Sequence, residues 1–587
     1  MSDRLTALRR IMAEKNLSAY IQPGSDAHQS EYVGDYWRTR HWLSGFTGSN
    51  GIVVVTEKEA GLWTDGRYFI QAEKELAGSG IKLFKMDEPG VPAYSQWLAD
   101  NLPIGAKIGF DGRVVSISEF RALKDILSGK EISYHYIEDI VGSLWEDRPA
   151  FPAAPAFIHD LAFAGKSSVV KLSEVRKKMQ EEGADLYLAA ALDDIAWLCN
   201  IRGSDITNTP VVFAYLLVSM ESAYLFIDEN KVSAALTAHL EEITICPYGA
   251  VYDYVREKAD SSTLLYHAEG ISVSLFDAVP GTAKAVNTSS IIQELKAVKN
   301  ETEINNARNA FTKEGVVMVK FLKWLAQLKG DMPNETDVQA EISRLRRAQA
   351  HCLGDSFTTI AAYGKNASSP HYSPKAEDCS RLKPEGLMLV DTGGQYLDGT
   401  TDITRTFVMG PISDEMKRDF TLVLKGHIAL AQAKFLKGAT GAHLDVLARQ
   451  YLWKAGMDYK HGTGHGLGYC LGVHEGPQNI SMRINPNKLL PGMFCTNEPG
   501  IYKEGRHGIR SENVMLIKEL ETTEFGVFLG FEPLTLCPFD TRAVDRDLLT
   551  KSEIDYLNGY HCQVYEKLTP FLDKAEREWL KEATRAM

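Results

Sequence analysis

Apolar side chains recur at two spacings along the chain, and the change from one to the other marks its elements. Leu5, Leu8 and Met12 fall at helical spacing with charged residues between them, which predicts an amphipathic helix. A short apolar strand follows at Tyr20 and Ile21. The same signature returns later. Leu5, Leu8, Arg9, Met12, Glu14, Tyr20 and Ile21 reappear as Leu172, Val175, Arg176, Met179, Glu181, Tyr187 and Leu188, at a constant offset of 167. Trp42-Leu43 ahead of Gly48-Ser49 reappears as Trp197-Leu198 ahead of Gly203-Ser204, now at an offset of 155, so the second copy has the shorter loop. Leu62 to Asp65 and Leu225 to Asp228 then end similar strands, each leading into a helix-like segment. Two α/β domains from one duplication is the economical reading.

Between the copies, Asp147 to Pro155 carries three prolines in seven residues, which breaks helix and sheet alike. A second boundary lies near Lys296 to Lys299. Beyond it Ile304, Ala307, Phe311, Met318, Leu322 and Leu325 predict a long amphipathic helix. The chain then becomes strand-rich and glycine-rich. It turns helical again at the C-terminus, where Thr550-Lys-Ser-Glu553 is a capping box and Thr569-Pro570 suits another helix start. The predicted domains are 1–155, 156–298 and 299–587.

Composition changes this picture little. At 587 residues the chain exceeds one core, and 44% apolar with 24% charged residues is ordinary for a globular protein. A net charge of -13 argues against a general nucleic-acid or anionic-membrane partner. The most apolar run, Val211 to Met220, is far shorter than the roughly 20 residues a membrane helix needs. The N-terminal pattern has no apolar signal core, and the eight cysteines form no Cys-x-x-Cys pair. A cytoplasmic protein with reduced, mostly buried thiols is expected.

Candidate chemistry is confined to the third domain. Asp391 ends an apolar strand that begins at Leu387, Gly393-Gly394 turn the chain, and Asp402 opens a second strand, Ile403 to Val408. A hairpin of this kind can hold both carboxylates on one face near its mouth. His461 and His465 are four apart, but Gly462, Gly464, Gly466 and Gly468 forbid a stable helix, so a glycine-flanked loop or strand is expected. There the backbone can approach a ligand closely. Glu498 precedes Pro499-Gly500, and alternation through Gly508 to Met515 places Arg510 and Glu512 on one strand face. Arg510 could pair with a ligand carboxylate and keep it ionised. Each acidic residue alone suits a solvated surface. Four carboxylates and one imidazole together suit two divalent cations, Mn with Co or Zn as alternatives. No phosphate-binding loop, dinucleotide fingerprint or nucleophile elbow is present.

The ordered set Asp391, Asp402, His465, Glu498 and Glu512 resembles the pita-bread metallopeptidase family, which includes methionine aminopeptidase, prolidase and aminopeptidase P. Further motifs match the three-domain cytosolic Xaa-Pro aminopeptidase branch: Asp26 to Tyr32, Trp63 to Phe69, His371-Tyr-Ser-Pro, Asp398 to Thr406, His461 to Gly466, Val473 to Pro477 and Phe531 to Leu536. The resemblance spans essentially the whole chain. It implies two duplicated creatinase-type α/β domains followed by an α+β pita-bread catalytic domain. It implies five metal ligands, the set above, and substrate-handling roles for Arg67, His371, His461 and His474. The implied reaction is hydrolysis between an N-terminal residue and a following proline, through water activated by two metal ions, with Glu498 taking the proton. Catalytic roles thus fall on Glu498, His474, His371 and His461. The partners implied are peptides with proline second and a second copy of the chain. Prolidase is the near alternative, and a metal-free peptide-binding relative the distant one.

Overall fold

The computed structural model describes residues 2–587, which divide into two compact units. One comprises the chain up to Leu161 and then Lys166–Ile292; the other comprises Ala162–Gly165 and Gln293–Met587.

Both sequence copies fold in the first unit, and the match extends to topology. In the first copy the strands lie in the order Lys82–Lys85, Ala60–Thr64, Ile52–Thr56, Ala19–Pro23, Lys107–Gly109, Ser133–His135. In the second the order is Thr244–Pro247, Ala223–Ile227, Ala214–Ser219, Leu186–Ala189, Thr263–Tyr266, Lys284–Asn287. Each has the same run of parallel and antiparallel neighbours. The paired helices are Ser2–Glu14 and Ser168–Glu181, whose Leu8, Met12, Leu172, Val175 and Met179 are buried. The predicted apolar run at Val211 supplies the central strand Ala214–Ser219.

The two copies share one core. Trp63, Trp97, Phe110 and Phe120 of the first belong to the same buried cluster as Tyr215, Phe226 and Tyr266 of the second. Backbone bonds stitch them, Ile117 N to Ile271 O and Val273 N to Val115 O at 2.9 Å. His28 crosses the same junction, with Nδ1 2.8 Å from Ala190 O and Nε2 2.7 Å from the Tyr248 hydroxyl. Burial lowers its pKa to about 3, so the ring is neutral.

The second unit opens with the helix Glu301–Ala326, closed at its start by an Asn300/Glu303 capping box. Its apolar stripe, including Ala307, Phe311, Met318, Leu322 and Leu325, is buried. Ile360–Tyr363, Leu387–Thr392 and Ile403–Val408 form one antiparallel sheet; Phe435–Leu436, Gly526–Pro533, Asn513–Thr523 and Phe494–Asn497 form another. Two long helices, Asp414–Ala431 and Ala442–Lys454, pack beside them. The capping box at Thr550 starts Lys551–Leu568 as predicted. Thr569-Pro570 instead opens a short 3-10 turn, and the last helix, Lys574–Ala583, begins only after its own cap at Asp573. All eight cysteines are unpaired, and five of them are buried. Among the described residues, no helix is long and apolar enough to cross a membrane.

Candidate metal centre

The predicted hairpin is present. Leu387–Thr392 pairs antiparallel with Ile403–Val408, with Asp391 opposite Thr404 and Thr392 opposite Ile403, so Asp391 and Asp402 meet at the mouth. The expected turn at Gly393-Gly394 is elaborated. Gly394–Tyr396 leaves for a separate small sheet with Gly399–Thr400 before the chain returns.

His465 sits in a strand, Gly464–Gly466, that pairs with Glu475–Ile480 through an irregular register. The glycines there are needed for room: a Cβ on Gly464 would strike the Thr496 carbonyl oxygen, and one on Gly466 the Glu475 carbonyl oxygen. The tautomer of His465 follows from its neighbour. Nδ1 lies 2.8 Å from Gly466 O, which can only accept, so Nδ1 donates and Nε2 carries the lone pair. Nε2 faces the Asp402 and Glu498 carboxylates, each at 3.6 Å.

Glu498 follows the strand Phe494–Asn497, and its N–H is held by Thr463 O at 2.8 Å. Glu512 receives the Thr404 hydroxyl at 2.7 Å, and its own N–H donates to Thr404 O at 3.0 Å. Donor atoms of Asp402, His465 and Glu512 all lie within 4.8 Å of one another, the packing a metal ion requires. Arg510 Nη2 reaches Asp391 Oδ2 at 2.5 Å, leaving the buried Oδ1 without a hydrogen bond.

One strand expectation needs correcting. Arg510 and Glu512 do not share a strand. Arg510 ends His507–Arg510, and the next strand starts only at Asn513. The backbone changes partner between them: Ser511 N donates to Pro499 O, whereas Glu512 N donates to Thr404 O. Both side chains still reach the site, because the break lies at the sheet junction.

The electrostatics are those of a cation site. Asp402 and Glu512 are both pushed well above the usual carboxylate range. Burial is the larger cause; repulsion from Asp391 and Glu498 on Asp402, and from Asp402 and Glu498 on Glu512, comes next. Four crowded carboxylates, an oriented imidazole and an orphaned buried oxygen on Asp391 fit hard or borderline divalent ions.

The other predicted histidines divide. His474 packs edge-on against His465, ring centroids 4.4 Å apart. His461 has Nδ1 3.9 Å from Glu498 Oε2 and 2.7 Å from Gly462 O, so Nε2 accepts from the Tyr502 hydroxyl at 2.9 Å. Tyr502 in turn accepts from Arg510 Nη1 at 2.6 Å. His371 is half-buried, and the neighbouring Pro370 carbonyl accepts from Arg510 at 3.4 Å. Arg67 belongs to the first unit, where it forms a bidentate pair with Asp65 at 2.8–2.9 Å.

Sequence reasoning missed three supports. Tyr502 links His461 to Arg510, and Thr404 bonds Glu512. Thr404 alternates with Asp402 and Thr406 along one strand, so its facing was legible. The third is Asp419, buried on the helix Asp414–Ala431, which holds the hairpin Gly500–Lys503/His507–Arg510 from outside. Burial alone would raise its pKa, but bonds from His507 at 2.9 Å, from Lys503 and from Arg418 outweigh it and lower it to about 2. A depressed carboxylate stabilises the fold above its unfolded pKa of about 4 and loses that contribution as pH falls through 2. Asp419→Asn should therefore cost about 2 kcal/mol near neutrality. Thermal unfolding should show the gap to wild type closing between pH 4 and pH 2.

Fold and donor set together define a pita-bread metallohydrolase with a carboxylate-rich centre. Metallopeptidase family M24 matches residues 305–519, the C-terminal region of peptidase M24 matches 527–587, and the creatinase/prolidase N-terminal domain matches twice, at 4–137 and 147–303. The chain is 39% identical to Aminopeptidase P2 of Arabidopsis thaliana, over 100% of its own length and 89% of that protein's. It is 39% identical to Xaa-Pro aminopeptidase 1 of Dictyostelium discoideum, over 100% and 97%. A crystal structure of X-prolyl aminopeptidase from Caenorhabditis elegans, described as a cytosolic enzyme with a di-nuclear active site, superposes with a TM-score of 0.96 at 36% identity, over 100% and 99% of the two chains. The chain belongs to the Xaa-Pro aminopeptidase branch of metallopeptidase family M24.

Proposed function

We propose that this chain is a metal-dependent aminopeptidase that removes the N-terminal residue from peptides with proline in second position. The observation that carries the reading is the convergence of Asp402, His465 and Glu512 donor atoms, with Asp391 and Glu498 beside them, in a chain similar to Xaa-Pro aminopeptidases over its full length. In this reading Asp391, Asp402, His465, Glu498 and Glu512 hold two divalent ions, Mn with Zn or Co as alternatives. When bound, such a pair lowers the pKa of water towards neutrality and polarises the scissile carbonyl.

The remaining chemistry belongs to side chains. Glu498, facing His465, accepts the attacking water's proton. His474 stabilises the oxyanion or protonates the leaving nitrogen. That nitrogen, here proline's, must gain a proton as the C–N bond breaks, and the proton that Glu498 takes from the attacking water can supply it. His371 and His461 line the proline subsite, with His461 fixed by Tyr502. Arg67 binds substrate. The division at 1–155, 156–298 and 299–587, a homodimer and a cytoplasmic location complete the proposal.

The test is hydrolysis of Arg-Pro-Pro with Mn present. The tripeptide should be cleaved and the dipeptide Ala-Pro should not; the reverse preference would make the chain a prolidase. His474→Ala should lower kcat by about 100-fold while Mn binding stays as in wild type. Unchanged kcat would remove His474 from the mechanism.

A further inference from the structure

Arg405 lies on the strand Ile403–Val408, alternating with buried Ile403 and Phe407 on the face turned away from Asp402 and Thr404. It is 1% exposed, and no acidic side chain pairs with it among the described residues. Every hydrogen bond it makes goes to a neutral acceptor. Nη1 donates to Glu512 O at 2.6 Å and to Thr404 O at 3.0 Å. Nη2 donates to Asn513 Oδ1 and Cys537 O at 2.8 Å and to the Tyr560 hydroxyl at 3.1 Å. Nε donates to Pro538 O at 3.3 Å, and the guanidinium stacks on Phe539 at 4.0 Å.

A buried cation without a counter-ion is costly to keep, and a fold that needed only packing there would place an aliphatic residue. The partners suggest what the charge does. Two of them, Glu512 O and Thr404 O, belong to the pair whose side chains bond at the candidate metal centre. Tyr560 belongs to the helix Lys551–Leu568, and its hydroxyl also donates to Thr535 O at 2.9 Å. The guanidinium therefore spans from the C-terminal helix to the backbone of Glu512.

We propose that Arg405 is a positioning residue for the metal centre: it fixes the backbone at Glu512 and Thr404 from behind and is itself held by Tyr560, so that the C-terminal helix sets the place of a metal ligand. The proposal rests on the reading of Glu512 as a ligand. A planar fork with five donors can span these acceptors, whereas a lysine ammonium cannot. Groups that orient a metal ligand change metal affinity by roughly 10- to 100-fold.

The test is isothermal titration of Mn into metal-stripped full-length protein, with KM and kcat for Arg-Pro-Pro measured on the reloaded enzyme. Arg405→Lys and Tyr560→Phe should each weaken the looser Mn site by about 10-fold or more and lower kcat, with KM within twofold of wild type. Tyr556→Phe, on the same helix with a hydroxyl that makes no hydrogen bond, is the packing control and should match wild type in both. If Arg405→Lys does not fold, Tyr560→Phe decides alone. Wild-type Mn affinity in Tyr560→Phe, with only a lowered melting temperature, would overturn the proposal. Glu512→Gln separates the two failures: if that variant binds Mn as tightly as wild type, the ligand reading itself is wrong.

Discussion

Asp402→Ala should abolish Arg-Pro-Pro hydrolysis, lowering kcat/KM by at least about 1000-fold even with excess Mn, or about 4 kcal/mol of transition-state stabilisation. Asp402 is buried at the hairpin mouth, faces His465 Nε2 at 3.6 Å and lies within the Asp402, His465 and Glu512 cluster. Its loss removes one of the predicted ligands, and two of the remaining carboxylates are tied where they stand: Asp391 bonds Arg510 and Glu512 bonds Thr404. The fold itself should tolerate the change. In the metal-free protein, removing one of four crowded carboxylates relieves repulsion, so the apoprotein should melt no lower than wild type. Steady-state kinetics and thermal unfolding of the same preparation check both halves. Wild-type kinetics would contradict the metal account.

Glu475→Ala should be the most destabilising single change in the second unit. Glu475 is buried, accepts a hydrogen bond from Lys299 and forms an ion pair with Lys296 at 3.1 Å, and all three side chains are almost wholly shielded from water. Removing the carboxylate strands two ammonium groups in the interior, which costs about 3–5 kcal/mol. Replacing the whole group should cost far less, because a well-packed apolar substitute avoids desolvating any charge. Lys296→Met, Lys299→Met and Glu475→Leu together should thus recover most of the stability lost in Glu475→Ala. Denaturant unfolding of the single and triple variants measures the difference. The triple variant speaks to function as well: Glu475 follows His474 and pairs with the His465 strand. If the charges only staple that strand, activity should return with stability.

Much of this was legible in the chain. The duplication could be read because helix and strand periods repeat with like residues at fixed offsets, and the shared strand order follows from it. Asp391, Asp402 and their hairpin were legible because apolar runs flank a glycine turn. The supports were less so. Glu475 meets Lys299 across 176 residues, and nothing local to His474-Glu475-Gly476 announces a buried ion triad. Tyr502 and Asp419 act only once the hairpin lies against its neighbouring helix. The continuous alternation drawn through Gly508 to Met515 failed because period-two reasoning assumes one partner strand, and the backbone changes partner at Ser511. The aromatic residues that fuse the two copies into one unit, Trp63, Phe110 and Tyr215 among them, are scattered in sequence, and only the folded sheets bring them into one cluster.

The most direct measurement is a crystal structure of the Mn-loaded protein with anomalous data collected at the Mn edge. Two anomalous peaks roughly 3.5–4 Å apart, enclosed by Asp391, Asp402, His465, Glu498 and Glu512, are the expected result. A single peak elsewhere, or well-ordered side chains at these five positions with no Mn between them at saturating metal, would contradict it.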